Sequence, residues 1–155
     1  MKEKVVIGRV EKVKFPQLKG VILHARIDTG AKTSSIWAAK AEETQDGLRV
    51  QFGYRMNGMN HTEQLFAHYD RVRVASSMGH EQVRYRIKMP IIIRKRRIYA
   101  TFTLADRSKQ VYPVLIGRNT LLRKFVVDVS LGSPLRDEEL RRSEILQACI
   151  KEEHI

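Results

Sequence analysis

The chain has 155 residues, enough for one domain around one core, and its 43% apolar and 30% charged residues suit a globular protein, not a disordered one. A single cysteine, Cys149, excludes an intrachain disulfide, and no apolar run approaches the roughly 20 residues of a transmembrane helix. The formal net charge of +12 favours polyanionic partners, whether acidic peptides, nucleic acid or anionic lipid, without choosing between them.

At the N-terminus, the apolar stretch over residues 5–8 is too short for a secretory signal and lacks a small-residue cleavage site. A soluble, cytoplasmic protein is expected. Val21, Leu23, Ala25 and Ile27 then alternate with polar positions, as do Leu48, Val50, Phe52, Tyr54 and Met56. The same period of two runs through Val83, Tyr85, Ile87, Met89, Ile91 and Ile93, and again through Ile98, Ala100, Phe102 and Leu104. Such alternation marks half-buried strands. Turn signals at Asp46-Gly47, Asn57-Gly58, Met78-Gly79 and the charged stretch 94–97 separate them, so a closed β-barrel or sandwich is expected. The C-terminus differs. Ser133-Pro134 reads as a cap and first helical residue, and Asp137, Glu138 and Glu139 suit the positive end of a helix. The expected organisation is a barrel domain over residues 1–133 followed by an amphipathic helix, about 134–152, within a C-terminal segment of residues 134–155 that packs on the barrel or on a partner.

Two segments carry chemistry. The strand ending at Ile27 runs into Asp28-Thr29-Gly30-Ala31, a carboxylate in a tight turn where glycine admits a second backbone and threonine can lock the turn by a hydrogen bond. Downstream, Tyr112-Pro113-Val114-Leu115-Ile116-Gly117-Arg118-Asn119 is an apolar strand, a glycine and the start of a short helix. Either segment alone is an ordinary turn or capped helix. Together and in this order they resemble the retropepsin-like aspartic peptidases, which carry an Asp-Thr/Ser-Gly-Ala loop and a later apolar-apolar-Gly-Arg turn and helix. The resemblance extends from about residue 8 to residue 130. It sharpens to a bacterial and archaeal subfamily labelled ATP-dependent zinc protease and associated with RimK-type glutamate ligases, on Arg26 to Ser34, Ala75-Ser76-Ser77-Met78-Gly79, Leu115 to Arg118, and Phe125 to Asp128.

The resemblance implies a retropepsin-like barrel, mainly β, with catalytic roles for Asp28, Thr29 and Gly30. Substrate contacts would come from Ala31, Lys32, Ser76, Ser77 and Gly79, the last three at the tip of a hairpin flap. Ile116, Gly117, Arg118, Asn119 and Asp128 would support the site. Retroviral members place an acid where this chain has Lys32, and that acid pairs with the arginine matching Arg118. Here Arg118 is expected to pair with a buried acid, Asp128 before Asp106, while Lys32 faces the cleft and attracts acidic substrate.

Aspartic peptidase chemistry needs two carboxylates sharing a proton, and Asp28 alone lies in an Asp-Thr-Gly context. A homodimer is therefore expected. The zinc label finds little in the residues. His80-Glu81-Gln82-Val83-Arg84 begins like a His-Glu-x-x-His helix but ends in arginine, and His61, Glu63 and His68 only lie near one another in a hairpin region. No phosphate-binding glycine loop occurs either, so no metal and no cofactor is assigned. The expected activity is hydrolysis of peptide or isopeptide bonds in acidic or polyglutamate segments, in functional association with a glutamate ligase and without a membrane. The alternative is a non-catalytic basic barrel that binds nucleic acid or acidic peptides, with Tyr85, Tyr99 and Phe102 as stacking platforms. That reading leaves the Asp-Thr-Gly-Ala and Leu-Ile-Gly-Arg segments without a purpose.

Overall fold

A computed structural model describes residues 3–53, 63–75 and 79–153. Its strands are β1 (Val5–Ile7), β2 (Val10–Phe15), β3 (Val21–Ile27), β4 (Ser34–Thr44), β5 (Gly47–Phe52), β6 (Glu63–Phe66), β7 (Asp70–Ala75), β8 (Glu81–Ile93), β9 (Arg96–Ala105), β10 (Val114–Ile116) and β11 (Phe125–Val127). Helix α1 (Arg118–Leu121) follows β10, and α2 (Arg136–Glu153) closes the chain.

Six strands make a ring in the order β10–β3–β2–β8–β9–β4, and β4 returns to β10. The inward residues of the alternating runs fill it. Ile87, Met89, Ile91 and Ile93 of β8 are all buried, as are Leu23, Ala25 and Ile27 of β3 and Phe102 of β9, whose ring lies 5.9 Å from that of Phe15. The ring is sheared. Counting partner to partner from Val114 through β4, β9, β8 and β2 arrives ten residues short of Ala25, although Ala25 is its direct neighbour on β3. Shear of this kind tilts the strands and lets so few enclose a solid core. The expected retropepsin-like barrel is therefore the observed fold.

Outside the ring, β5 and β6 continue from β4, and β7 pairs with β8 from Asp70↔Arg86 to Ala75↔Glu81. The hairpin expected around residues 76–80 is thus formed by β7 and β8, although Ser76, Ser77 and Met78 at its tip lie outside the described residues. So do Tyr54 and Met56: β5 ends at Phe52. The β8–β9 turn places Arg94 and Lys95 at positive φ, the conformation of a tight hairpin turn. Arg94 is fixed there by Glu11, a buried carboxylate that accepts its Nε–H at 2.8 Å and the Gly8 N–H at 2.7 Å.

Helix α2 begins at Arg136, two residues later than the Ser133-Pro134 signal suggests. The Ser133 N–H donates to the Val10 carbonyl and the Leu135 N–H to the Tyr112 hydroxyl, so this stretch is tied to the barrel before helical bonding starts with Glu139 N–H to Leu135 O. Arg9 then grips Glu139 through two hydrogen bonds of 2.9 Å. Beyond that clamp, Leu140, Ile145, Leu146 and Ile150 of α2 are exposed. No helix among the described residues is long and apolar enough to cross a membrane.

Candidate active site

Strand β10 is only three residues long, yet it organises the chemistry. It runs parallel to β3 on one side and antiparallel to β4 on the other, so it fills the gap between two strands that are consecutive in sequence. The loop joining β3 to β4, residues 28–33, must therefore cross the end of β10. That crossing brings the two sequence motifs together. The Asp28 N–H donates to the Ile116 carbonyl at 2.9 Å, the Arg118 N–H to the Ala31 carbonyl at 2.8 Å, and the Asn119 N–H to the Lys32 carbonyl at 3.0 Å.

Within the loop, the Gly30 N–H donates to Asp28 Oδ1 at 2.9 Å, a side-chain-closed turn that fixes the carboxylate, and the Ala31 N–H donates to the Asp28 carbonyl at 3.2 Å. Asp28 is partly exposed and Thr29 and Gly30 are exposed. The loop thus presents a carboxylate to solvent from a rigid base. Beneath it, the buried Ser34 hydroxyl accepts the Gly117 N–H at 3.0 Å and donates to Asn119 Oδ1 at 2.8 Å. The Thr120 hydroxyl, 2.7 Å away, supplies the remaining contact. The one hydroxyl of Ser34 so contacts three groups of the Gly117–Thr120 segment.

Ser34→Ala removes all three contacts and strands a buried N–H, which costs about 2 kcal/mol. For a domain of this length the expected fall in melting temperature is roughly 5 °C. An alanine variant that melts with the parent in a thermal scan would show that the hydroxyl does not bind the two motifs together.

Ile116, Gly117, Arg118 and Asn119 lie against the Asp28 loop. Arg118 does not take the expected partner. Its Nη1 donates to the Thr29 carbonyl at 3.1 Å, while Asp128 is exposed and spends its carboxylate on the Ser130 N–H at 2.9 Å and the Ser130 hydroxyl at 2.6 Å. Those contacts hold Asp128 below the usual carboxylate range. Asp106, the other acid considered, is likewise turned to its neighbour, Ser108. A backbone carbonyl thus satisfies Arg118 in place of the acid that retroviral relatives provide. Lys32 is exposed, and Gly79 follows the hairpin tip at positive φ with open space about its Cα. Among the described residues no three His, Cys, Asp or Glu side chains gather in a way that could hold a metal ion; His61 lies outside them.

The sequence reading missed Arg107 and assigned no role to Arg26. Arg26 leaves β3 on the same outward face as Asp28, two residues on. Arg107 sits in the β9–β10 connection, its Nε–H given to the Tyr112 carbonyl at 2.9 Å. Burial, and then Arg26, push the Arg107 guanidinium below the ordinary arginine range, with Asp28 pulling the other way. The connection has no motif to mark it; only the fold brings it beside the acid.

Comparison with known proteins supplies the remaining observations. A family model described as RimB-like, retropepsin-like aspartic endopeptidase RimB, matches residues 6–137. A probable alpha-L-glutamate ligase of Desulfotalea psychrophila is 26% identical over 155 residues, covering 97% of this chain and 33% of that protein. One of Shewanella pealeana is 28% identical over 132 residues, covering 82% of this chain and 29% of that protein. The chain thus spans about a third of the length of these curated relatives. The crystal structure of a Legionella pneumophila protein of unknown function superposes with a TM-score of 0.67 at 23% identity, covering 84% of this chain and 97% of that one, a likeness of fold.

Proposed function

The chain belongs to the RimB-like family of retropepsin-like aspartic endopeptidases, and from that premise we propose that it hydrolyses peptide or isopeptide bonds with a dyad of two Asp28 carboxylates contributed by a homodimer. One observation carries the proposal. Each chain presents a single carboxylate on a glycine turn that is bolted to the end of β10 and left open to solvent.

Two such carboxylates facing each other cannot both ionise, so they share one proton. The ionised Asp28 takes a proton from water as the water oxygen attacks the carbonyl carbon, and the protonated Asp28 gives its proton to the carbonyl oxygen. Breakdown reverses the exchange: the leaving nitrogen takes a proton from one carboxyl, a diol proton returns to the other, and the C–N bond breaks. Arg118 holds the Thr29 carbonyl and so the turn itself; it is a positioning residue in this scheme. The Thr29 hydroxyl makes no hydrogen bond among the described residues, which leaves it available to the symmetry-related turn. Partner surface is also at hand. Among the described residues the β1–β11 ribbon pairs with no other strand, and Val6 and Val126, register partners on it, are both about half exposed.

The β7–β8 hairpin, with Ser76, Ser77 and Gly79 at its tip, would serve as the flap, and Ala31 and Lys32 would meet substrate beside the dyad. The substrate proposed is an acidic or polyglutamate segment. The net charge of +12 and the naming of relatives as probable alpha-L-glutamate ligases support this, and a functional association with such a ligase is part of the same proposal.

The test is incubation with peptides of graded glutamate content, with products read by mass spectrometry across a range of protein concentrations. Cleavage of the acidic peptides is expected, with specific activity rising with protein concentration as dimers form. No product from any peptide at concentrations where sedimentation shows a dimer would overturn the proposal.

A further inference from the structure

Resting on the peptidase reading, we infer that Arg26, Arg107 and Arg142 form a carboxylate-binding subsite beside Asp28, and that α2 is its outer wall, so that the C-terminal helix takes part in choosing the substrate. The three residues come from β3, the β9–β10 connection and α2, and they line one groove with a cavity volume of about 450 Å³. The groove also touches Arg9, Ile27 and Tyr112, and Ile27 immediately precedes Asp28.

Charge in this groove is unbalanced. Its one carboxylate is Glu139, which both nitrogens of the Arg9 guanidinium already occupy. Among the described residues Arg26, Arg107 and Arg142 form no ion pair with any acid, and the one bond recorded for Arg107 goes to a backbone carbonyl through Nε. That bond leaves both terminal nitrogens of Arg107, the fork that grips a carboxylate with two parallel hydrogen bonds, free for a ligand. Crowding guanidinium groups into a half-enclosed groove is costly: Arg107 is destabilised as a cation by its burial and by Arg26 together. An incoming anion removes that cost, and the volume lies in the range of ligand pockets.

The occupant proposed is the side-chain carboxylates of an acidic peptide, not a phosphate backbone, because Arg26 and Ile27, which line the groove, lead directly into the Asp28 loop. A chain lying across the dyad puts its neighbouring side chains there. The family match ends at residue 137, so Arg142 and the wall it stands on lie beyond it.

The experiment uses the 155-residue chain carrying Asp28→Asn, so that peptide is held uncut, and follows fluorescence anisotropy of labelled hexaglutamate at about 0.15 M ionic strength, where charges are screened beyond about 8 Å. Adding Arg142→Glu is expected to weaken binding about tenfold or more, as for a contacting charge reversed. Arg142→Gln should weaken it less. Lys151→Glu makes the same change of charge on the same helix at an exposed position outside the groove and is expected to weaken it by less than about threefold, because salt-screened distant charges act weakly. Equal losses from Arg142→Glu and Lys151→Glu would overturn the subsite in favour of net charge alone. It would equally be overturned if a single-stranded oligonucleotide of the same charge displaced the label better than unlabelled hexaglutamate. If the parent cleaves no peptide but hexaglutamate binding still depends on Arg142, the peptidase reading fails and the groove stands. If the parent cleaves acidic peptides and Arg142→Glu binds them as before, the groove alone falls.

Discussion

Protein carrying Asp28→Asn is expected to fold as the parent does, to bind acidic peptides as well as the parent, and to lose at least about three orders of magnitude in peptide cleavage. The fold is spared because the turn uses Asp28 only through Oδ1, which accepts the Gly30 N–H, and an asparagine oxygen accepts it equally. The activity is lost because general acid–base catalysis by one positioned group contributes about 10²- to 10⁴-fold, and in a homodimer one substitution removes the base and the acid together. The same variant tests the symmetry. When half the protein in a freely exchanging mixture carries Asp28→Asn, random pairing leaves about a quarter of dimers with two parental subunits. Activity at constant total protein should then fall to about a quarter. A fall to one half would show that each chain works alone, and the two-carboxylate mechanism would have to be abandoned. The competing account, a basic barrel that binds without cutting, expects the parent itself to make no product.

The strands that sequence exposes are those with one wet and one dry face. In β3, β8 and β9 the apolar positions alternate, and their inward residues from Leu23 to Ile27, Ile87 to Ile93 and Ile98 to Leu104 are buried, whereas Val83, in the outer part of β8, is exposed. Asp46-Gly47 and the charged stretch 94–97 lie where the chain reverses, at Thr44↔Gly47 and Ile93↔Arg96. Strand β10 has no alternation to read: Val114-Leu115-Ile116 has neighbours on both sides, and only its company with Gly117-Arg118 identified it. Strand β4 opens on Ser34, a polar residue on the same face as the buried Ile36, and its burial is accommodated because its hydroxyl serves three groups across the loop crossing. The cap of α2 misled for a related reason. Ser133 has the chemistry of a cap, but its backbone is committed to Val10.

Pairings over long distance were the least legible part. An Arg118–Asp128 pair follows from charge arithmetic, and charge arithmetic cannot see that the Thr29 carbonyl is nearer. The groove of Arg26, Arg107 and Arg142 gathers three segments separated by tens of residues, and only Arg26 belongs to a motif. What sequence conveys is the Asp28 turn and its β10 partner, because each is a short local motif marked by a glycine.

Of Ser34→Ala, Gly30→Ala and Gly117→Ala, the last is expected to destabilise the protein most, through the contact between the Asp28 loop and the end of β10. Gly117 has φ −98, a conformation open to any residue, so the cost is one of space alone. A Cβ there would overlap the Thr33 carbonyl and stand 2.9 Å from the Ala31 oxygen, both backbone groups of the loop that carries Asp28. Neither side can yield freely. β10 is held between β3 and β4, and the loop is held by the Arg118 and Asn119 N–H groups and by Ser34. Forcing the two apart costs roughly 1–3 kcal/mol for overpacking, and about 1 kcal/mol for each hydrogen bond that lengthens beyond use. A total of about 4 kcal/mol lowers the melting temperature of a domain this size by roughly 10 °C or more. Cleavage should fall further than stability, measured at a temperature where the variant is still folded, because the displaced loop carries the carboxylate itself. Gly30→Ala offers the contrast. Its Cβ would meet only the Asp28 side-chain oxygen, at 3.2 Å, so a much smaller loss of stability is expected. Thermal scans of the two variants decide the matter. If Gly117→Ala melts within about 2 °C of the parent, the crossing is looser than described and cannot be what holds Asp28 in place.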